Sequence, residues 1–297
     1  MKSSDQCLKV SELLKLGSRL ISKSGISEAR QEARILFCSA SNLEQEVLTA
    51  YPELIVKDET ATLFMEYIER RCKHEPVSKI IGKRSFWKLD LSVNSHVLDP
   101  RPESEFLIQT IKKFFTNTQI NIKICDLGTG SGCLAITLAK LYKNSKILAT
   151  EISQSAFKVA KKNIILHNVK NQIELINCNW ISDQNFFDVI ITNPPYLSKV
   201  EYDNCEENVK QFEPKTSLLG GIDGLDCYRQ ISAILNSIIN ENSFVFIEIG
   251  RFQKNKIKNI FNKNDLKLIK IIKDYQKIDR VLVFKKKKYE KNKKKLA

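Results

Sequence analysis

The chain has little of what metal and acid-base enzymes commonly use. Only three of its 297 residues are histidine, His74, His96 and His167, and none stands near a cysteine or an acidic cluster in sequence. A metal site or imidazole chemistry is therefore not expected, and the three histidines read as structural. Eight cysteines occur, at positions 7, 38, 72, 125, 133, 178, 205 and 227, but no pair has the Cys-x-x-Cys spacing of a zinc site or redox centre. They read as reduced core residues. Long apolar runs are missing too: stretches such as Cys133 to Ala139 have the length of a core element, not of a membrane span. Residues Met1 to Gln6 lack the apolar segment of a signal peptide, so a cytoplasmic protein without membrane association is expected.

What is abundant is positive charge. The formal net charge is +14, which invites a nucleic-acid reading. Its distribution weakens that reading. Residues Lys285 to Ala297 hold eight lysines and one glutamate, so this tail contributes half of the excess. A terminal lysine run reads as a solvated tail, with at most weak, unspecific attraction to RNA. A content of 42% hydrophobic residues builds a core easily, and the length exceeds that of a typical single domain.

Residues 8 to 72 carry helical spacing and almost no strand signal. Leu13, Leu14, Ser18 and Ile21 follow one helix that Gly25 closes, a second helix runs from Ala29 to Ser39, and Asp58 is placed to cap a third through Met65 and Ile68. From Phe86 to Asn94 the texture changes. Trp87, Leu89, Leu91 and Val93 alternate with polar residues, the period of a half-exposed strand and one arm of a hairpin. Beyond residue 103 helices and strands alternate, with strands predicted at 121–126, 146–151, 173–178, 187–192, 243–249, 266–273 and 279–285. Such alternation makes a largely parallel sheet covered on both faces, here with an antiparallel hairpin at one edge. The domains predicted are a helical one over residues 1–75, a hairpin linker over 76–102, an α/β domain over 103–285 and the tail over 286–297.

Four elements follow the first four strands of that domain. The first is Asp126-Leu127-Gly128-Thr129-Gly130-Ser131-Gly132, a strand end running into a glycine turn. Glycines allow the tight turn and let backbone approach a ligand. A dinucleotide fingerprint would need glycine where Cys133 stands; the pattern instead resembles the first motif of S-adenosylmethionine-dependent methyltransferases. The second is Glu151, whose carboxylate can accept from both ribose hydroxyls of a nucleoside or simply be a strand-end charge. The third is Asn179-Trp180, an amide and a ring suited to adenine, or ordinary packing. The fourth is Asn193-Pro194-Pro195-Tyr196.

That tetrapeptide suits transfer to a planar nitrogen. An amide or exocyclic amine has a delocalised lone pair and is a poor nucleophile, so it must be oriented. The Asn193 side-chain oxygen and the main-chain carbonyl of Pro194 can each accept one N–H of an NH2 group, which turns the lone pair toward an electrophile, while the Tyr196 ring offers a flat face. A plain turn is the other reading of Asn-Pro-Pro.

Over roughly residues 8 to 285 the chain resembles the release factor glutamine methyltransferase (HemK/PrmC) family. The strings that carry the resemblance are Pro76-Val77 to Ile80-Ile81-Gly82, Val97-Leu98-Asp99-Pro100-Arg101-Pro102-Glu103-Ser104-Glu105, the glycine turn, the Asn193 tetrapeptide, Glu213-Pro214 with Gly220 to Leu225, Glu248-Ile249-Gly250, and Asp279-Arg280-Val281. Ser104 departs from the usual Thr, and Glu151 and Asn179 from Asp. The resemblance implies a class I S-adenosylmethionine-dependent methyltransferase, with a Rossmann-like seven-stranded sheet, a small N-terminal helical domain and a connecting β-hairpin. It implies S-adenosyl-L-methionine as cofactor and the Gly-Gly-Gln loop of class 1 peptide chain release factors as protein substrate, met by a monomer. Gly128, Thr129, Gly130, Ser131, Gly132, Glu151, Trp180 and Asn193 would meet the cofactor. Asn193, Pro194, Pro195 and Tyr196 would bind substrate, with Asn193, Pro194 and Tyr196 catalytic. A nucleic-acid amino-methyltransferase and a ribosomal-protein glutamine methyltransferase stay open as alternatives.

Overall fold

The computed structural model describes residues 8–181 and 186–287. Cys7 and the lysine tail from residue 288 onward lie outside them. The chain divides into two compact units, Met1–Lys83 and Arg84–Ala297.

The first unit is helical: Val10–Lys23, Ala29–Ser41, Gln45–Ala50, Asp58–Cys72 and Val77–Ile81. Its core gathers Leu13, Ile21, Leu36, Phe37, Phe64 and Ile68, with the rings of Phe37 and Phe64 edge to face at 5.2 Å. Asp58 is not a cap: Lys57 holds that position without a side-chain bond, and Asp58 begins the helix. There its carboxylate meets the positive end of the helix dipole together with Glu59. Arg71 donates to both carboxylate oxygens of Glu32, tying two helices together.

A hairpin begins at the boundary residue Lys83, with β1 (Lys83–Phe86) and β2 (Leu89–Ser92). The alternation from Phe86 to Asn94 is therefore not one continuous arm. Trp87 and Lys88 form the two-residue turn, both with positive φ, 47° and 62°, as a twist-matched hairpin turn requires. Neither residue favours that backbone. Tertiary contacts hold it: Trp87 N donates to Glu105 Oε1 at 2.9 Å, and Lys112 Nζ lies 5.5 Å from the Trp87 ring centre.

Seven further strands make one sheet: β3 (Lys123–Leu127), β4 (Lys146–Thr150), β5 (Ile173–Ile176), β6 (Phe187–Thr192), β7 (Ile239–Glu248), β8 (Leu266–Lys273) and β9 (Asp279–Lys286). Their order is β5-β4-β3-β6-β7-β9-β8. β3 to β7 pair in parallel, while β9 runs antiparallel to both β7 and β8. This is the seven-stranded α/β sheet with an edge hairpin that the sequence predicts. β7 starts earlier than predicted, because Ile239 already pairs with Phe187 ahead of an irregular register.

Burial on both faces explains why Val189, Ile190 and Ile191 of β6 are apolar without alternation. Val189 and Ile191 enter the core beneath helices Glu105–Phe114 and Cys133–Leu141. Ile190 enters the opposite core, with residues of helices Asp226–Ile238 and Lys254–Lys263. Cysteine is less central than expected. Among the described residues all are free thiols, but only Cys125 is fully buried and the others are half-buried. The chain steps outward from β3 to β5 and then returns to lay β6 on the other side of β3. Loops that leave β3 and β6 therefore flank a topological switch point, where open α/β sheets hold ligands.

Candidate active site

The glycine turn leaves β3 at that switch point. Gly128, Gly130 and Gly132 have φ of 73°, 58° and 85°, values that a residue with a Cβ rarely adopts. Asp126 fastens the turn: its Oδ2 accepts from Thr129 Oγ1 at 2.6 Å and from Ala135 N at 3.2 Å. Thr129 N also donates to Thr150 O at 2.8 Å. Ser131 is buried, and its backbone oxygen accepts from Asn163 Nδ2 at 2.8 Å. Full burial pushes the Asp126 carboxyl up to about 7, against the pull of its Thr129 and Ala135 hydrogen bonds.

A cavity of 420 Å³ opens over this turn, bordered by Gly128 to Ser131, Glu151, Trp180, Asn193 and Pro195. Three observations fit it to a nucleoside-bearing cofactor. A Cβ on Gly130 would meet no protein atom within 4 Å, so the backbone there is left open to a ligand. Glu151 is nearly buried and accepts from Gly130 N at 2.9 Å through Oε2 and from Ser153 N at 2.8 Å through Oε1. A carboxylate offers about four acceptor sites, so capacity for two ribose hydroxyls remains. Trp180 borders the same space, its ring within 3.5 Å of a Cβ position on Gly128, while its Nε1 donates to Gln230 Oε1 at 2.7 Å.

A second cavity, of 440 Å³, includes Arg101, Glu103, Asn193, Tyr196, Glu248 and Arg280 in its wall. Asn193 borders both cavities, so the tetrapeptide stands where they meet. Pro194 is buried between Asn193 and Pro195. Thr192 Oγ1 donates to Leu127 O at 2.7 Å, which locks the end of β6 to the end of β3. After the tetrapeptide, Leu197 N donates to Leu218 O and Gly220 N to Leu197 O. The segment 218–224 thus runs against the loop backbone to backbone, and a Cβ on Gly220 would stand 2.5 Å from Pro195 O. The Tyr196 hydroxyl is pushed up to about 12, first by burial and then by the Glu248 charge.

The structure also brings in residues that the sequence reading left without a role. Asn193 Nδ2 donates to Ser104 Oγ at 2.8 Å, and Ser104 Oγ donates to Glu248 Oε2 at 2.6 Å. Glu213 is buried; it accepts from Arg101 Nη2 at 3.0 Å and from Asp99 N at 3.2 Å, shaping the strap from Asp99 to Ser104. Glu248, Ser104 and Glu213 lie in strings that carry the family resemblance, but their spacing in sequence spans more than a hundred residues and gives no sign that they meet.

Comparison with known proteins agrees with this arrangement. Residues 96–211 match the model of the methyltransferase small domain, and residues 12–82 that of the PrmC N-terminal domain. A bifunctional methyltransferase of Rickettsia bellii is 32% identical over 92% of this chain, which spans about half the length of that relative, 54%. A release factor glutamine methyltransferase of Agrobacterium fabrum is 32% identical over 92% of this chain and 96% of its own length. Among solved structures, a methyltransferase from Pyrococcus furiosus superposes with a TM-score of 0.51 at 21% identity, over 74% of this chain and 98% of that one, a likeness of fold. With full-length similarity of this extent, the chain belongs to the release factor glutamine methyltransferase family.

Proposed function

We propose that the chain methylates the side-chain amide nitrogen of the glutamine in the Gly-Gly-Gln loop of class 1 release factors. The observation that carries this reading is the position of Asn193 in the wall of both the cavity over the glycine turn and the second cavity beside it. S-adenosyl-L-methionine supplies an electrophilic methyl group when bound. The chain's own residues do the rest. Gly128 to Gly132 shape the backbone cradle, Glu151 holds the ribose hydroxyls, and Trp180 borders the adenine. The Asn193 side-chain oxygen and the Pro194 carbonyl take the two amide hydrogens, and Tyr196 packs on the amide plane. Positioning of this kind turns an encounter of two molecules into a reaction of fixed geometry, which accounts for much of the barrier lowered. For the transfer to balance, the C–S electron pair would stay on sulfur, and the amide nitrogen that gains the methyl would give up one proton to water. A Tyr196 hydroxyl held neutral adds no charge beside the acceptor.

The helical unit, residues 1–83, we assign to docking the release factor away from its reactive loop. Translation termination in the cytoplasm is the setting this substrate implies. Among the described residues no helix is long and apolar enough to cross a membrane.

The test is incubation with methyl-labelled S-adenosylmethionine and purified release factor, wild type beside a Gln-to-Ala change in its Gly-Gly-Gln loop. Label on the wild-type factor alone is expected. Label on both, or on RNA added in place of the factor, overturns the reading.

A further inference from the structure

The cluster behind Asn193 has a direction. Glu248 is 1% exposed and Ser104 2% exposed, so water does not mediate their contact. An ionised carboxylate only accepts. Ser104 must then spend its single hydroxyl proton on Glu248 Oε2, at 2.6 Å, and the same oxygen can only accept from its other neighbour. That neighbour is the Asn193 amide, 2.8 Å away. An amide with its oxygen turned toward Ser104 would face an oxygen with no proton to give. Nδ2 therefore points at Ser104 and Oδ1 is left for the cavity, where an acceptor for a substrate NH2 group is required.

We propose that Glu248 acts through Ser104 as a polarity-setting pair that fixes which end of the Asn193 amide faces the substrate, making both of them positioning residues for methyl transfer. This deepens the reading of Asn193 given above and rests on it. A neutral Glu248 loses the direction: a protonated carboxyl can donate to Ser104, whose hydroxyl is then free to donate to Asn193, and the amide can turn over.

The groups around Glu248 allow that change near neutrality. Burial pushes its carboxyl up to about 7, while the Ser104 hydrogen bond, the Arg280 charge and the Asn193 amide pull it down and the Glu103 charge pushes it up. Tyr196 and Tyr228 face it as neutral phenols, both held above their ordinary range by burial first, and the Tyr228 hydroxyl donates to the Glu248 backbone oxygen at 3.0 Å. Cys133 on the neighbouring helix is likewise held as a thiol by burial. Arg280 and Arg101 are cations of the same cavity wall, and Glu103 is its other carboxylate.

The experiment compares Ser104→Thr with Ser104→Val, which share a shape and differ in the hydroxyl, and adds Glu248→Gln, using the full chain with intact release factor. Expected is a kcat about a hundredfold lower in Ser104→Val, the scale of a misplaced reacting group, with Ser104→Thr keeping most of the rate. Ser104 also borders the cofactor cavity, so cofactor affinity is measured by calorimetry for both variants and the Thr/Val contrast is read in kcat at saturating cofactor. Wild-type kcat should fall as pH drops through about 7, and Glu248→Gln, whose amide can donate to Ser104, should be slow at every pH and lack that limb. Equal rates in the Thr and Val variants, whether both high or both low, overturn the proposal, as does a shared pH profile for wild type and Glu248→Gln. Asn193→Ala keeps the two failures apart. If wild type transfers label and Asn193→Ala does not, a failed Thr/Val contrast removes only the polarity pair; an active Asn193→Ala removes the reading beneath it.

Discussion

Gln253 Nε2 donates a 2.7 Å hydrogen bond to the backbone oxygen of Tyr196. The same nitrogen reaches Gly224 O at 3.4 Å, and Oε1 accepts from Gly250 N at 3.0 Å. One buried amide thereby joins three loops: the tetrapeptide after β6, the glycine segment 220–224, and the turn after β7. Gln253→Leu leaves two buried backbone groups, Gly224 O and Gly250 N, and the half-buried Tyr196 O short of a partner, at about 1–3 kcal/mol for each buried one. A tenfold or so loss of kcat is expected from the loosened loop, with cofactor affinity held, since Gln253 does not border that cavity. Steady-state kinetics beside calorimetry with S-adenosylmethionine checks this; a parallel loss in affinity would show that the clamp acts elsewhere.

Gly224 is where that junction tolerates least. Its φ is +75°, and a Cβ would stand 2.4 Å from Tyr196 O and 3.0 Å from Ser198 N, both backbone atoms that cannot swing away. Gly25 is a control, with φ +82° and nothing within 4 Å of an added Cβ. Gly25→Ala should cost only the left-handed backbone penalty of about 1–2 kcal/mol, and Gly224→Ala about 1–3 kcal/mol more from overpacking. Thermal melts of the two variants measure the difference. Equal melting temperatures would mean that the loop simply moves aside.

The sequence made the sheet legible because β3, β4 and β6 are buried on both faces at their centres, where Ile124-Cys125, Ile147 to Ala149 and Val189 to Ile191 follow one another without polar alternation. It misread the hairpin, since Trp87 and Lys88 continue a period-2 pattern while their backbone turns; propensity there is overruled by Glu105 and Lys112. Glu151, Trp180 and Asn193, which border the cavities, were legible because each follows its own strand at one edge of the sheet. Ser104, Glu248 and Gln253 were not, because their work lies in contacts with Asn193 and Tyr196 across 50 residues or more of sequence. No local pattern marks a residue whose partner lies so far along the chain.

Trp180 offers a direct reading of the cofactor cavity. The chain has two tryptophans, so Trp87→Phe leaves Trp180 as the sole indole. Adding S-adenosylmethionine should change its emission, and Glu151→Ala in that background should weaken binding about 10- to 100-fold through the loss of charge-assisted hydrogen bonds. An emission that ignores saturating cofactor would take Trp180 away from the adenine.

The helical unit has its own core, and residues 84–297 have theirs, separate from it. A fragment beginning at residue 84 should therefore keep cofactor affinity and lose efficiency on whole release factor, chiefly as a raised KM. Calorimetry and methyl transfer on the same fragment test both halves. Unchanged KM for the intact factor would sink the docking role.

Asp126 makes stability depend on pH in a stated direction. Its carboxyl stands at about 7 in the folded protein against 3.8 when free. Between those values the folded chain keeps a proton that the unfolded chain has released, so folding takes up a proton and stability falls as pH rises. The contribution is fully present below about 4 and is lost as pH passes through about 7. The ceiling is roughly 4 kcal/mol for such a shift, reduced by whatever water or relaxation reaches the charge. Glu248 adds a slope over a similar window for the same physical reason, burial. Asp126→Asn separates the two. Its side-chain oxygen can still accept from Thr129 Oγ1 and Ala135 N, and its second atom replaces Oδ1, which has no hydrogen-bond partner among the described residues. Melting temperatures at pH 5 and pH 8 should drop less for Asp126→Asn than for wild type, the gap appearing at the alkaline end. Parallel curves for the two proteins would show that Asp126 is ionised throughout, its charge carried by the turn it fastens.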